Sequence, residues 1–312
     1  MPNPGLMKTI DTLVKDIEEI LVAGVPREQY DVEGYGEELG KVFSGSLEPR
    51  DADRGTRVWF SNVGSPYARQ LWYRIHDSDN TEDYRANTKF KFMYGDILES
   101  LTLRLAALAG HVVEHEQERL EVSVGGRVIS GRIDAVIDGH LIDVKSASKY
   151  SFQKFIGGLK RKDDAFGYLG QLLGYLVVAR ENELIPRDSL EASFLVVNKE
   201  TGNIYLDTHT FTEADVDKWY EDAATRLDDM ERPAPPERGF EPVDDGYTKD
   251  KVFRSNGNKK LGVNCSYCDA KFLCHPGLRV FLYGGNKPVF FTKVYKTPKV
   301  PEIGRKDLDD YA

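Results

Sequence analysis

Long apolar runs are missing from this 312-residue chain. No segment approaches the roughly 20 apolar residues that a membrane-spanning helix needs, and the first residues lack a basic start followed by an apolar block. Cysteine is also scarce, and its three copies lie within one short stretch, unlike the disulfide framework of a small secreted domain. We therefore expect a cytoplasmic protein with no membrane partner.

A strong basic excess is missing too, since the formal net charge is -9. Taken alone, this charge argues against a nucleic-acid partner. However, residues 251–300 contain ten Lys and Arg against one acid, Asp269, so this stretch carries +9 and the remainder -18. A basic region beside an acidic one is typical of proteins that hold phosphates at one place and a metal at another. The aromatic residues interleaved with these cations either stack on bases or form a core.

The most informative stretch runs from Gly131 to Ser148 and reads GRIDAVIDGHLIDVKSAS. Apolar residues alternate there with Asp134, Asp143 and Lys145, and the turn between the two halves is Asp-Gly. This pattern predicts a β-hairpin. Because residues two apart in a strand point the same way, Asp143 and Lys145 share one face.

Two carboxylates and an ammonium on one strand face fit a site for a hard divalent cation with a water-positioning lysine beside it. An Asp-x-Lys pair on a strand is, by itself, most often a solvated sheet face. The hairpin therefore indicates a metal site only together with other residues of the chain.

Such residues lie on either side of the hairpin. Upstream, Gly95 and Glu99 open an apolar helical run; downstream, Gln171 and Tyr175 lie four residues apart and share a helix face. Glycine, helical Glu, Asp, Asp-x-Lys and Gln-x-x-x-Tyr, in this order, resemble the PD-(D/E)xK nuclease superfamily. The resemblance covers roughly residues 58 to 275 and is strongest to the branch of RecB nucleases, lambda exonuclease and CRISPR-adaptation nucleases.

The resemblance implies an α/β fold, a restriction-endonuclease-like core in which a mixed β-sheet is flanked by helices. It also implies roles for particular residues. Mg²⁺ or Mn²⁺ would be held by Glu99, Asp134, Asp143 and the Val144 carbonyl, and Lys145 would position or activate the water. Gln171 and Tyr175 would guide the DNA strand beside the metal, although a hydrogen-bonded core pair is the alternative.

The function expected from this resemblance is metal-dependent hydrolysis of DNA phosphodiester bonds. Our first hypothesis is an exonuclease that acts on duplex ends or single strands, with partners in recombination, repair or replication. An endonuclease is the enzymatic alternative, and a noncatalytic DNA-binding or scaffold protein is the other. The resemblance also suggests a phage or mobile-element source, and hence a host cytoplasm.

Further basic residues are candidates for phosphate contacts. Arg69 lies on a helix after a Ser-x-x-Gly turn, where a structural ion pair is the alternative. The others follow the Asp-x-Lys strand, where they form either a solvated face or a DNA-backbone contact. These are Lys149, Lys154, Lys160, Arg161 and Lys162.

The cysteines form a local cluster, Cys265, Cys268 and Cys274, with His275 adjacent. CxxC is a common metal turn, and a third cysteine six residues later strengthens it. Three interpretations remain: zinc held by Cys₃His, an iron-sulfur cluster with a noncysteine fourth ligand, or no metal. Iron-sulfur relatives carry a further cysteine where this chain has Tyr67.

The chain divides by composition into five parts. Residues 1–57 hold an amphipathic helix over 6–23 followed by a polar loop from 25 to 57, and residues 58–231 form the nuclease core. Residues 232–250 are a proline-containing linker, and 251–306 form the basic module with the cysteines. Residues 307–312 are an acidic tail expected to lack structure.

Overall fold

The computed structural model describes residues 8–48, 58–63, 65–80, 86–285 and 287–311. The α-helices are α1 (Leu13–Ala23), α2 (Val32–Leu47), α3 (Phe60–Val63), α4 (Ala68–His76), α5 (Ala86–Leu108), α6 (Lys149–Ile156), α7 (Tyr168–Glu181), α8 (Glu213–Glu231), α9 (Val263–Ser266) and α10 (Lys271–Cys274). Short 3-10 turns cover Ile10–Thr12, Arg27–Gln29, Ser78–Asn80 and Arg305–Tyr311.

The strands are β1 (Val113–Glu114), β2 (Arg119–Val124), β3 (Arg127–Arg132), β4 (Ala135–Ile137), β5 (His140–Ala147), β6 (Glu191–Asn198), β7 (Ile204–Thr210), β8 (Val243–Lys249), β9 (Val252–Lys260), β10 (Arg279–Tyr283), β11 (Lys287–Lys293) and β12 (Glu302–Ile303). The described residues form two compact units. The first contains the chain to residue 48, Val58–Ser65 and Lys91–Leu227, and the second contains Pro66–Phe90 and the chain from Asp228.

A mixed sheet with the order β1-β4-β5-β6-β7 forms the centre of the first unit. The β5–β6 pair is parallel and the other pairs are antiparallel. Helices α1 and α5 pack on this sheet through Leu13, Ile17 and Leu103, all nearly or fully buried. Helix α6 packs on it as well, where Phe155 meets Phe194 of β6 with ring centroids 5.5 Å apart. This arrangement confirms the predicted fold class, a mixed sheet flanked by helices.

The Asp-Gly hairpin predicted at residues 131–148 is present as β4 and β5, with Ile137 opposite His140. Asp138 and Gly139 both have positive φ, 52° and 75°, as a two-residue hairpin turn requires. Strands β2 and β3 do not extend this hairpin, because they pair as a separate two-stranded ribbon. The chain leaves that ribbon at residues 133–134, directly before β4.

Two further expectations about the N-terminal part need correction. The helix expected over residues 6–23 is α1 preceded by a 3-10 turn, and its first two residues lie outside the described part. The loop expected over 25–57 contains α2, which runs beside α5; residues 49–57 lie outside the described part. Ser46 donates to Asp96 at 3.0 Å, and Ser100 donates to Glu38 at 3.2 Å. Helix α2 has no fully buried residue, but Tyr35, Leu39 and Val42 lie at helical spacing and are half-buried, so its apolar stripe was detectable in the sequence.

The second unit contains an antiparallel sheet in the order β12-β10-β11-β9-β8. Its core includes Phe281 and Phe291, both fully buried, so these aromatic residues are core rather than stacking platforms. The segment expected to be a linker, 232–250, contains strand β8. The acidic tail expected to lack structure contributes a 3-10 turn with Leu308 buried; residue 312 lies outside the described part. The division into nuclease core and basic module stays a prediction.

Among the described residues, no helix combines the length and apolar character needed to cross a bilayer.

The buried His111 side chain connects α1 to the β4–β5 hairpin through two carboxylates. The His111 side chain is fully buried, its Nδ1 lies 2.6 Å from an Asp138 oxygen and its Nε2 lies 3.1 Å from an Asp16 oxygen. The other Asp138 oxygen accepts the Val112 N–H at 2.9 Å. His111 therefore joins the hairpin turn to α1 through two carboxylates.

Replacing His111 with Ala should lower the free energy of unfolding by about 2 kcal/mol, because it removes a buried ring that bonds two carboxylates. Asp16 keeps Lys8 at 3.1 Å and Asp138 keeps the Val112 N–H, which limits the loss. Urea unfolding at pH 7 measures the change. His115→Ala is the matched control, since the His115 side chain pairs with the half-exposed Glu118, and it should change stability by less than about 0.5 kcal/mol. Equal effects of the two variants would contradict the structural role of His111.

Candidate active site

Strand pairing brings the two hairpin carboxylates together. Ala135 pairs with Ile142, so one further step of the same register sets Asp134 opposite Asp143. Residues directly opposite in an antiparallel pair have Cβ atoms about 5 Å apart. Asp143 and Lys145, two apart on β5, form an ion pair. The predicted meeting of these three side chains is thus present in the structure.

Asp143 is the most deeply buried of the acids, with a fully buried side chain. Its Oδ2 is met by the Lys145 ammonium, and its Oδ1 has no hydrogen-bond donor among the described residues. Burial raises the pKa of this carboxyl, while the Lys145 charge lowers it. A buried carboxylate with one oxygen paired to a single ammonium and the other without a donor is available for a cation.

A hydrogen bond joins the Asp134 side chain to the backbone of Val144. The Val144 N–H donates to Asp134 Oδ2 at 2.7 Å, which orients the carboxylate toward β5. Burial raises the pKa of Asp134 well above its ordinary value, and the negative charges of Asp143 and Glu99 raise it further. The Val144 carbonyl as a metal ligand stays a prediction.

Glu99 reaches the cluster from α5. The buried residues of this helix include Leu103 and Ala106, four and seven positions after Glu99, so Glu99 extends the buried stripe. Leu101, two residues after Glu99, is 39% exposed and lies outside this stripe.

The carboxyl of Glu99 has an unusual environment. Burial raises its pKa to about 7; the Lys145 charge opposes this rise, and the Asp143 and Asp96 charges add to it. Gln117 donates a side-chain hydrogen bond to Glu99 Oε1. Gln117 was not a predicted site residue, because it lies in a turn before β2 with no pattern that marks it.

Lys145 supplies the positive charge. Burial alone would lower its pKa, but the carboxylates of Asp143 and Asp134 raise it above its ordinary value. Its Nζ lies 5.4 Å from the centroid of the Tyr168 ring, a cation–π contact. Tyr168 had been expected only as a core residue of its helix. The ammonium is therefore held between carboxylates and a ring.

Helix α7 brings Gln171 and Tyr175 to the same region. Gln171 Nε2 donates to the Tyr175 hydroxyl at 2.8 Å, as their four-residue spacing predicts. Burial raises the pKa of Tyr175, and Asp143 and Asp134 raise it further, so the phenol lies close to the acids.

Packing fixes the Tyr175 ring. Phe60 meets it edge-on, with ring centroids 6.2 Å apart. Phe60 in turn lies so close to Gly131 that a Cβ on this glycine would overlap its ring. Gly131, which starts the stretch from Gly131 to Ser148, is thus needed for packing beneath Tyr175.

The start of α7 depends on a residue that the sequence analysis did not select. Asp164 accepts the N–H groups of Gly167, Tyr168 and Leu169, each at 2.9 Å. An aspartate just before a helical run is a helix-start signal, so this residue was detectable. Through this cap, Asp164 positions the helix that carries Tyr168, Gln171 and Tyr175.

The donor set fits a hard divalent cation, although the acids are not arranged as ready ligands. In the described part of the chain, no three His, Cys, Asp or Glu side chains form a group that could hold a metal ion. The contacts explain this: Lys145 lies against Asp143, and Gln117 against Glu99. The fit rests on Asp143 Oδ1, which has no hydrogen-bond donor among the described residues, and on carboxylate chemistry, which suits Mg²⁺ or Mn²⁺.

The predicted phosphate contacts have different surroundings. Lys149, Lys160 and Lys162 are exposed. Lys154 donates to the Asp163 carbonyl at 2.9 Å, and Arg161 lies 3.5 Å from Asp215.

Arg69, in the second unit, has protein partners. It donates to the Pro236 carbonyl at 2.6 Å and to the Tyr73 hydroxyl at 3.3 Å. The structural role of Arg69 is therefore supported by these contacts, while its DNA-binding role stays a prediction.

The cysteines and His275 line one pocket of the second unit. The Cys268 N–H donates to the Cys265 carbonyl at 3.2 Å, which closes the CxxC turn. Burial raises the pKa of Cys268 to about 12, with a further rise from Asp269, and burial lowers the pKa of His275. Cys265 also packs against the core around Phe272 and Phe290. Zinc or an iron-sulfur cluster at these residues stays a prediction.

Comparison with known proteins agrees with the fold and the motif. The family model of the PD-(D/E)XK nuclease superfamily matches residues 62–275, so this chain belongs to that superfamily. No curated protein matches the sequence.

Two solved structures are similar in fold. The SSO0001 crystal structure is 17% identical with a TM-score of 0.41, covering 76% of this chain and 93% of its own. The LHK-Exo structure in complex with dAMP is 14% identical with a TM-score of 0.40, covering 58% of this chain and 90% of its own.

Replacing Glu99 with Gln should stabilise the metal-free protein at pH 8. The pKa of about 7 lies above the ordinary value of 4.5, so the stability that the neutral carboxyl contributes is lost as the pH rises through 7. An uncharged Gln avoids that loss, and the gain should be on the order of 2 kcal/mol at pH 8 and small at pH 5.

Urea unfolding in EDTA at both pH values measures this difference. Glu114→Gln, at an exposed position on β1, is the matched control and should show no such pH dependence. If Glu99→Gln gives the same change at pH 5 as at pH 8, the buried ionised carboxyl is not the cause.

Proposed function

We propose that this protein is a divalent-metal-dependent DNA exonuclease, which hydrolyses phosphodiester bonds at DNA ends in recombination, repair or replication. The observation that carries the proposal is the charge balance of the candidate site. Glu99, Asp134 and Asp143 are electrostatically close to one another, and Lys145 is the cation among them. A cluster with more acids than bases, away from water, is costly unless it binds a cation.

A purely structural role would explain this cluster less well. Buried ion pairs contribute little to stability compared with apolar residues of similar size. Asp143 Oδ1, which is buried and has no hydrogen-bond donor among the described residues, would be a defect in a structural network. Both features are useful when the network has to accept a metal and a phosphate.

The chain's own groups have distinct tasks in this proposal. Mg²⁺ or Mn²⁺ bound by Glu99, Asp134 and Asp143 would acidify a water and offset charge on the phosphate. The Lys145 ammonium, held by Asp143 on one side and facing the Tyr168 ring at 5.4 Å, would orient that water or neutralise developing charge.

The neighbouring residues would hold the DNA. Gln171 and Tyr175, already hydrogen-bonded to each other, would border the strand path. The exposed lysines after β5 would contact phosphates. These contacts supply affinity without reading bases, so the proposal includes no sequence preference. Action on ends follows from the resemblance to end-processing relatives.

The test compares linear duplex, covalently closed circle and single-stranded DNA, each with Mg²⁺, Mn²⁺ or EDTA. The parent should degrade linear DNA only with metal and should spare the circle. Lys145→Ala and Asp143→Asn should lower the rate about 100-fold or more, because each removes a group that acts in the transition state. Circular dichroism verifies that both variants are folded.

Lys218→Ala is the matched control. Lys218 lies on α8 and, within the described part of the chain, pairs with Asp222, both more than half exposed, so this variant should cut at the parental rate. Cutting of the circle would replace the exonuclease with an endonuclease. DNA binding without cutting under either metal, or parental activity in Lys145→Ala, would overturn the proposed mechanism in favour of a binding or scaffold role.

A further inference from the structure

The β8–β9 hairpin of the second unit ends in an arm, residues 247–255, that is exposed on both faces. Every residue of the arm is exposed, although its two strands form a regular antiparallel ladder. Strand β9 pairs with β11 at Lys259 and Lys260, at the base of the hairpin, so the arm extends past the rest of the sheet. A two-stranded hairpin without a core is at best marginally stable, which makes an arm of this kind costly unless it contacts a ligand.

Four side chains form one patch on one face of the arm. Tyr247 pairs with Arg254, and Lys249 pairs with Val252. Paired residues, and residues two apart in one strand, point to the same face of a ladder. Tyr247 and Val252 are 59% and 58% exposed, and a cation lies opposite each of them. We call these four residues the arm patch; it combines two cations with two apolar groups and contains no acid.

The charges of the hairpin are separated along its length. At the base, Lys259 lies 2.8 Å from Asp244 and Lys260 lies 2.7 Å from Asp245. The cations of the arm have no ion pair within the described part of the chain. They are Lys249, Lys251 and Arg254. The arm has three cations and one acid, Asp250, so it carries +2 in a chain whose formal net charge is -9.

The turn at the tip keeps a lysine where glycine would be more stable. Asp250 and Lys251 have φ angles of 53° and 61°, as the two-residue hairpin turn requires. The left-handed conformation costs a residue with a Cβ about 1–2 kcal/mol, and glycine avoids this cost. Lys251 therefore adds a positive charge at the tip at the expense of stability.

Contacts at the base hold the arm in one orientation. Phe253, on the face opposite the arm patch, lies so close to Gly246 that a Cβ on this glycine would come within 2.8 Å of its ring. The register of the ladder shifts just before Gly246, and a bulge of this kind bends a strand. The side-chain oxygen of the buried Asn258 accepts the N–H groups of Tyr295 and Lys296, both at 2.8 Å. The bend is thus tied to the body of the second unit.

The dimensions and the charge of the arm fit duplex DNA. From Gly246 to the tip at Asp250 the strand spans about 14 Å, at about 3.4 Å per residue. The major groove of B-DNA is about 12 Å wide and admits a two-stranded β-ribbon. Phosphates on both sides of the groove would meet the cations, and thymine methyl groups would meet the apolar side chains.

We infer that the β8–β9 arm binds duplex DNA, with the arm patch against the major groove and its cations on the phosphates. Lys251 adds a phosphate contact at the tip. This inference rests on the proposed function for the choice of DNA as the ligand. It adds to that function the form of the substrate, a duplex held by an arm of the second unit.

The salt dependence of binding tests the arm. Binding of a fluorescein-labelled duplex of about 30 base pairs, with Ca²⁺ in place of Mg²⁺, is measured from about 50 to 200 mM salt. Replacing Lys249 and Arg254 together with Gln should make the plot of log affinity against log salt shallower by about 1.8, because each phosphate contact contributes about 0.9. The affinity at about 0.1 M salt should fall at least about tenfold.

The double variant Lys15→Gln/Lys218→Gln is the charge-matched control. It also removes two cations, both more than half exposed on helices of the first unit and each paired with an acid four residues later. It should keep the parental salt dependence. Arg254→Lys keeps the charge of the arm and should keep the salt dependence too, which separates the phosphate contact from any role of Arg254 in the fold of the hairpin.

A single strand of the same length tests the form of the DNA. It has no groove for the arm to enter, so Lys249→Gln/Arg254→Gln should bind it within about twofold of the parent. An equal loss of affinity for duplex and single strand would overturn the duplex as the ligand of the arm.

The outcomes separate this inference from the proposed function. If Lys249→Gln/Arg254→Gln binds duplex with the parental salt dependence while Lys145→Ala is inactive, the nuclease stands and the arm inference is wrong. If Lys145→Ala keeps parental activity, the proposed mechanism fails, and a shallower salt dependence in the arm variant still supports the arm. An equal change in the charge-matched control would overturn the arm, because net charge alone would then explain the binding.

Discussion

The burial of Asp143 next to Asp134 is the constraint on which the first unit depends. Two carboxylates that face each other across the β4–β5 pair repel one another, and burial strengthens the repulsion because water does not screen it. Lys145 offsets part of this cost from the same strand. The remaining negative charge is costly to the fold and would be offset by a bound cation, which links stability to chemistry at one place.

The surrounding packing is arranged to hold that cluster in place. Phe60 occupies the space left by Gly131 and meets Tyr175, while Asp164 caps the helix that carries Tyr175 and Tyr168. None of these contacts involves the acids themselves. These contacts set the positions of the side chains around the acids, where small displacements affect a reaction most.

The hairpin and the meeting of its charges were predictable because a period of two and an Asp-Gly turn are local signals. Helix α2 carries Tyr35, Leu39 and Val42 at helical spacing, but its four glycines lower the helix propensity of the segment, which favoured a loop. The inward face of α5 depends on packing, since Leu101 and Leu103 are equally apolar in sequence and only Leu103 is buried. The contacts of Gln117 and Phe60 depend on residues distant in the chain, which a single sequence does not reveal.

Helix α5 joins these features, since its character changes along its length. Its inner turns are anchored in the core by Leu103 and Ala106, its middle carries Glu99, and its outer turns expose Phe92. A rigid helix transmits its core anchoring to the carboxylate, whose position then depends on packing rather than on solvent-exposed contacts. Because Leu103 and Ala106 belong to the same core cluster as Ala135, Ile142 and Val144, the packing that holds α5 also sets where Glu99 lies relative to Asp134 and Asp143.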